Sequence, residues 1–268
     1  MTARALFIEG LAFWAPTLPS WPQARAAFRG EGAALAPERI PSPTALACAE
    51  RRRAPETVAL ALAVSEAAAQ AAGRDAGELL AVFTSAHGDL PVIDHLCSTL
   101  VHTPRQVSPT RFLHSIHNAP AGFWSQLNRN GLNHTAVSAA ECSFAAGLLE
   151  AAVLAETEQR AVLLVGYDTA AVGALTHTTR SQGALAVGLV LHPQSSHRAR
   201  ATLHWQLCSS AEAPRPPQSA AARALPPNGM SQALPFFEAL ARETESSCTL
   251  ALSPHQFLHT RLQVLPSI

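Results

Sequence analysis

Short apolar runs that alternate with alanine-rich segments constrain the fold of this chain more than any other feature. Residues 79–84, 161–166 and 184–191 read as buried strands, because each run is short, apolar and bounded by turn-forming residues. The segments that begin at Pro55 and Ser143 are rich in alanine and leucine, which favours helices. Strands separated by helices of this length predict βαβ units, and hence an α/β fold with a mixed, mostly parallel sheet.

The helix that is predicted between Pro55 and Gly73 has a sequence signal at each end. Pro55 stands at its first turn and Gly73 stops it, and its alanines predict close packing against neighbouring elements. The stretch 108–120, which is rich in Pro, Ser and His, is predicted as a loop. Further strands are predicted at 6–8, 134–138, 199–208, 247–252 and 258–264, and further helices at 21–29, 91–101, 121–128 and 234–242.

The chain carries few charges. Of its 268 residues, 48% are hydrophobic and 14% are charged, which predicts that a partner covers part of the surface. The formal net charge of +0 gives no electrostatic footprint for nucleic acid or an acidic membrane. No Lys occurs in the sequence, which excludes Schiff-base chemistry on a Lys side chain.

The cysteines do not form a recognisable metal or disulfide pattern. There are five, scattered and without CxxC spacing, and this usage fits a reducing cytoplasm. The apolar stretch at the N-terminus is too short for a signal peptide, and no window approaches ~18 consecutive apolar residues. We therefore expect a cytoplasmic protein with no metal, no cofactor and no membrane span.

The run 138–147, SAAECSFAAG, is the most informative segment for function. It joins a predicted strand to a predicted helix through small residues, and α/β enzymes often hold a nucleophile at such a turn because the helix N-terminus stabilises negative charge. Two adjacent residues compete for that position, Glu141 and Cys142. Cys142 also fits a small buried residue, and Glu141 also fits a helix cap.

Four motifs carry a resemblance to a known family. They are SPTRF at 108–112, HSIHNAPAG at 114–122, the run 138–151, and VLLVG at 162–166. In type and order they resemble the motifs of β-ketoacyl synthases. They are most similar to the short ketosynthase-like chain-length factors of aryl polyene and related bacterial pigment pathways.

The resemblance implies a thiolase-like layered fold. It covers residues 1–193, which correspond to one full ketosynthase half. Residues 194–268 would then form an abbreviated second half that completes the fold. A flexible connection is expected near 211–228, which is rich in Pro, Ala and Arg.

The same resemblance indicates which catalytic residues of a ketosynthase are replaced or absent in this chain. An alignment without gaps to the ketosynthase helix and following strand puts Glu141 at the nucleophile position and Cys142 one residue later. The histidine motifs of the ketosynthase second half do not occur after residue 193. The resemblance therefore implies a non-catalytic chain-length factor in a heterodimer with a competent ketosynthase, with acyl carrier protein bound through that partner.

The resemblance also places the segment 109–118 at the heterodimer interface. An apolar acyl chain needs an apolar, water-excluding tunnel wall. The residues expected at the tunnel or interface are Phe112, Ile116, His117, Asn118, Phe123 and Phe144. Without the resemblance, Phe112 and Phe144 would be expected in the core.

Two alternatives stay open. Cys142 with His117 would form the pair of an acyltransferase, or Glu141 would support a decarboxylase, in each case acting on acyl carrier protein. A purely structural scaffold of a ketosynthase complex is the other alternative. His114 and His117 also fit hydrogen-bonded scaffold residues of the loop.

Overall fold

The structure is a computed structural model, and it describes residues 4–42, 46, 54–209, 213–242 and 244–266. Cys48 and the arginines at 51–53 lie outside the described residues. The strands are β1 (Arg4–Trp14), β2 (Leu80–Thr84), β3 (His134–Val137), β4 (Val162–Asp168), β5 (Leu185–His192), β6 (Ala201–Cys208), β7 (Ser246–Ser253) and β8 (Gln256–Val264). The helices are α1 (Trp21–Phe28), α2 (Glu56–Ala72), α3 (Leu90–His102), α4 (Pro109–His114), α5 (Ala119–Leu127), α6 (Ser143–Glu158), α7 (Ala220–Arg223) and α8 (Leu234–Ala241).

The described strands form one mixed sheet of eight, in the order β3-β2-β4-β5-β1-β6-β8-β7. The α/β class and the mixed sheet are confirmed. The expected predominance of parallel strands is wrong, since β2 pairs in parallel with β3 and β4 whereas the described pairs from β4 to β7 are antiparallel. A parallel pair needs a long crossover, and the link from Asp168 to Leu185 contains only a short 3₁₀ turn at Gly173–His177.

Helix α2 covers one face of the sheet and packs as closely as its alanines predict. It begins after Pro55 and ends at Gly73, which adopts the left-handed conformation that caps helices. A Cβ placed on Gly10 of β1 would lie 2.8 Å from the Cβ of Ala72, and one on Gly188 of β5 would lie 2.9 Å from that of Ala68. Glycine in the strands therefore lets the helix approach the sheet.

The other face of the sheet is covered by α1, α6 and α8, which share a second hydrophobic cluster. Phe144 of α6 and both Phe236 and Phe237 of α8 are fully buried in it. Strands β6, β8 and β7 extend the same sheet beyond β1. Of the connection predicted near 211–228, the described part contains the short helix α7, and its flexibility stays a prediction.

The stretch 108–120 differs from the expected loop. It contains α4, whose N-cap Ser108 accepts a hydrogen bond from the backbone N–H of Arg111 at 3.4 Å, and the start of α5. A proline at the first helical position is compatible with that short helix. Among the described residues, no helix is long and apolar enough to cross a membrane.

Candidate functional site

The carboxyl ends of the parallel strands β2, β3 and β4 meet at one edge of the sheet, and Asp168 ties that edge together. Its buried carboxylate accepts hydrogen bonds from the Ser85 hydroxyl at 2.7 Å and from the N–H groups of Ala86 at 2.9 Å and His87 at 3.2 Å. Burial raises the pKa of Asp168, although these hydrogen bonds oppose the change. The polar stretch 85–89 is thus a turn that is held in place by hydrogen bonds to Asp168.

Asn228 fastens the same edge from a distant part of the chain. Its side-chain amide donates to the carbonyl oxygen of Asp168 at 3.1 Å and to that of Gly183 at 2.6 Å. Its own carbonyl accepts from the N–H of Met230 at 2.8 Å. The loop between β4 and β5 is therefore held at both of its ends by one residue.

The segment between β3 and α6 is a strand-to-helix turn, as the sequence predicts. Residues Ala140–Cys142 form a single 3₁₀ turn, and Ala140 has a positive φ of 49°. The Ser143 hydroxyl donates to the carbonyl of Ala140 at 2.7 Å and accepts from the N–H of Ala139 at 2.9 Å. Thr84 of β2 donates its hydroxyl to the carbonyl of Ser143 at 2.7 Å, so the turn is fixed to the sheet.

Glu141 projects from this turn towards solvent. Its side chain is 75% exposed and its carboxylate lies 3.8 Å from the guanidinium of Arg180, which is 84% exposed. Such an exposed pair contributes little to stability. The N-cap position of α6 is occupied by Cys142, so Glu141 is not the N-cap residue that the sequence suggested.

Cys142 is half-buried at the same turn. Burial raises the pKa of its thiol, and the neighbouring charge of Glu141 raises it further. Less thiolate is then present at neutral pH than for an ordinary cysteine, whereas a nucleophilic cysteine needs a lowered pKa. The electrostatics of the turn therefore do not favour Cys142 as a nucleophile.

His117 is bound to the sheet. Its Nε2 lies 3.2 Å from the carbonyl oxygen of Val137 at the end of β3, and its own carbonyl accepts from the Tyr167 hydroxyl at 3.4 Å. Within the described ranges, no hydrogen bond joins His117 to Cys142. These contacts match the scaffold role considered for this histidine, and a catalytic role for it stays a prediction.

Helices α3 and α4, together with Ile116 two residues after α4, carry exposed apolar side chains, which we call the α3–α4 face. Its members and their exposed fractions are Leu100 57%, Val101 77%, Phe112 57%, Leu113 60% and Ile116 44%. Phe112 is thus not a core residue, which corrects the expectation made without the resemblance. Leu100, Val101 and Leu113 were not predicted from the sequence, because α3 carries apolar residues on several sides.

The remaining predicted residues lie at different depths. Asn118 is exposed just before α5, and Phe123 is half-buried with its ring centroid 5.9 Å from that of His114. Phe144 has no exposed surface, and its ring lies 5.6 Å from that of Phe236. Phe112 and Ile116 are therefore both exposed, whereas Phe144 lies in the core.

No group of three or more His, Cys, Asp or Glu side chains in the described ranges is arranged to hold a metal ion. Two open cavities of about 520 Å³ each are lined by other residues than those predicted for the site. One of them lies beside α8 and β7, and the other between β1 and the end of β8.

Solved structures with the same fold include ketosynthase complexes. The chain aligns over 97% of its length with 99% of a chain from the ketosynthase ApeO in complex with its chain length factor ApeC from Xenorhabdus doucetiae, with 21% identity and a TM-score of 0.72. It aligns over 98% of its length with all of a chain from AntDE:AntF, a type II polyketide synthase acyl-carrier protein in complex with its ketosynthase, with 9% identity and a TM-score of 0.76.

A third similar structure is the ishigamide ketosynthase/chain length factor, with 15% identity and a TM-score of 0.69 over 98% of this chain and all of that one. At these identities the likeness concerns the fold, which is therefore thiolase-like. No curated protein matches the chain by sequence. The family model for the beta-ketoacyl synthase N-terminal domain matches residues 21–257, which is most of the chain. The chain therefore belongs to the beta-ketoacyl synthase N-terminal domain family.

Proposed function

We propose that this protein is a non-catalytic chain-length factor that pairs with a β-ketoacyl synthase in type II, aryl polyene-like biosynthesis and shapes the acyl tunnel of the pair. The observation that carries the proposal is the α3–α4 face. Four large apolar side chains exposed on two adjacent helices, with Ile116 exposed just after the second, are unusual on a monomer and are typical of a surface that a partner covers.

The unpaired side of β3 supports the same proposal. In the described part of the chain, β3 is paired on one side only, by β2, and exposed strand edges are usually paired or protected. Nδ1 of His134 on β3 is buried without a hydrogen-bond partner among the described residues. His117 links the α4–α5 segment to the end of β3 through the carbonyl oxygen of Val137.

The chemistry of the turn at Glu141 supports a non-catalytic role. A carboxylate is a poor acyl acceptor compared with a thiolate. The neighbouring Cys142 has a raised pKa, and the only charged partner of Glu141 among the described residues is the exposed Arg180. On this proposal, the ketosynthase supplies the catalytic cysteine and binds the acyl carrier protein.

Co-expression with a candidate partner β-ketoacyl synthase tests the proposal. We expect the two chains to co-purify as a complex, and we expect replacement of Leu113 by Asp to abolish the complex. Val153→Asp is the matched control, because Val153 is also an exposed apolar residue but lies on α6 outside the α3–α4 face. If the chains do not associate and the ketosynthase is fully active alone, the proposal is wrong.

Intact-mass spectrometry tests the catalytic alternative. The purified chain is incubated with acyl or malonyl carrier protein, and we expect no covalent adduct on it. A stable acyl adduct that is lost in Cys142→Ala would show that this chain is itself an acyltransferase. A change in product length in a Phe112→Leu heterodimer would distinguish a tunnel role from a purely structural one.

A further inference from the structure

Helices α3 and α4 bury very little of their own surface. Of α3 only Leu90 and Leu96 are buried, and α4 contains no buried residue. The two helices contact each other, and the 3₁₀ turn Pro104–Gln106 between them contacts α3. Residues 97–106 are exposed apart from the half-buried Thr99. The α3–α4 face therefore belongs to a pair of helices that the rest of the described chain leaves largely uncovered.

The segment that carries this face contains basic residues and no acidic ones. The chain as a whole has 19 basic and 19 acidic residues, but no Asp or Glu occurs between Asp94 and Glu141. Arg105 lies in the turn between the two helices, and Arg111 lies in α4 directly before Phe112. The positive charge beside the exposed apolar side chains is therefore not balanced within the same segment.

Carboxylates from other parts of the described chain do not balance these two arginines either. The carboxylate of Asp94 on α3 lies against the backbone of Gly173, since a Cβ placed on that glycine would overlap it. Among the residues that the structure describes, no carboxylate lies within ion-pair distance of Arg105 or Arg111, and both arginines are exposed. Two guanidinium groups beside the α3–α4 face are thus available to the carboxylates of another molecule.

We infer that the ketosynthase surface that covers the α3–α4 face carries carboxylates beside an apolar patch, and that Arg105 and Arg111 attract these carboxylates. The inference rests on the proposed function, which supplies the ketosynthase as the partner. Complementary charges beside an apolar contact accelerate association and fix its register more than they add affinity, and guanidinium groups pair with carboxylates through two hydrogen bonds. A lipid surface fits less well, because recognition of anionic lipid usually takes clusters of about 4–8 basic residues.

The salt dependence of association tests the inference. Binding of the full chain to the purified ketosynthase is followed by surface plasmon resonance between about 0.05 M and about 0.5 M NaCl. We expect the association rate constant of the native chain to fall roughly tenfold or more over this range, because salt screens the attraction. The double variant Arg105→Gln/Arg111→Gln should associate more slowly than the native chain at low salt and depend little on salt. The charge reversal Arg105→Glu/Arg111→Glu should invert the effect, so that its association becomes faster as salt is added.

Arg223→Gln is the matched control, because Arg223 is also exposed but lies on α7, outside the α3–α4 face. It should leave the association rate constant unchanged, and the urea midpoints of all variants should match that of the native chain, since the replaced side chains are exposed.

The outcomes separate this inference from the proposed function. A complex whose association does not depend on salt, or a charge-reversed variant that associates as fast as the native chain at low salt, would overturn the inference and leave the proposed function standing. Failure of the native chain to bind the ketosynthase would overturn both. Pelleting of the native chain with phosphatidylglycerol vesicles that requires both arginines, with no effect of the same arginines on ketosynthase binding, would assign the charge to a lipid surface and overturn the inference.

Discussion

On the proposed function, truncation of Phe112 in the α3–α4 face should weaken the complex with the ketosynthase without weakening the fold. A phenylalanine side chain has about 200 Å² of surface, of which 57% is exposed here, so about 110 Å² is left for a partner to cover. At about 25 cal/mol per Å² this area corresponds to a ceiling of about 3 kcal/mol. Since alanine retains part of the area, we expect Phe112→Ala to cost about 2 kcal/mol, or about thirtyfold in Kd.

The measurement is a titration of the purified ketosynthase with each variant by calorimetry, accompanied by urea denaturation of the variant alone. The urea midpoint should change little, because more than half of Phe112 contacts no other part of the chain. Val153→Ala is the matched control, since Val153 is 40% exposed on α6 and should leave Kd unchanged. Equal weakening by both variants, or a Kd for Phe112→Ala within twofold of native, would refute the placement of the interface.

Four further predictions concern the fold and the chemistry of the site. Phe144→Ala should lower the free energy of unfolding by about 3–5 kcal/mol in urea, because the ring is fully buried against Phe236, and a loss below 1 kcal/mol would contradict its place in the core. Gly10→Ala should cost about 1–3 kcal/mol and lower Tm, because the added Cβ meets α2; an unchanged Tm would count against that packing. Cys142 should react with iodoacetamide more slowly than a cysteine peptide at pH 8, as followed by mass spectrometry, because burial and the adjacent carboxylate raise its pKa. Arg74→Gln should destabilise the fold by about 3 kcal/mol at pH 7, because it leaves the buried carboxylate of Glu9 without its ion-pair partner. Burial raises the pKa of Glu9, but its hydrogen bonds with Arg74 and Ser196 outweigh burial and lower that pKa. The stabilisation is therefore present above the unfolded pKa of about 4.3 and is lost as the pH falls through the folded pKa, so the urea midpoints of native and variant should converge below pH 4.

Local sequence signals predicted local structure well. Both ends of α2 follow from Pro55 and Gly73, because a proline at a first turn and a left-handed glycine act on their immediate neighbours. The strand-to-helix turn before Ser143 follows in the same way from small residues between two periodic segments. These elements depend on residues within a few positions of one another.

Strand direction and side-chain exposure could not be predicted in this way. The apolar run of β5 is the same whether it pairs in parallel or antiparallel, and the direction depends on how the chain returns from Asp168. Phe112 is apolar, but its burial depends on which element, or which partner, covers α4. The cavity between β1 and the end of β8 likewise brings together residues more than two hundred positions apart, which no motif records.

The hydrogen bonds of Asn228 can form only late in the synthesis of the chain. The edge formed by Asp168 and Gly183 is synthesised early, but the residue that fastens it follows dozens of positions later. A nascent chain therefore carries this edge unfastened until Asn228 has left the exit tunnel. A prematurely terminated product that lacks Asn228 should therefore leave the loop between β4 and β5 more accessible to proteases than it is in the full chain.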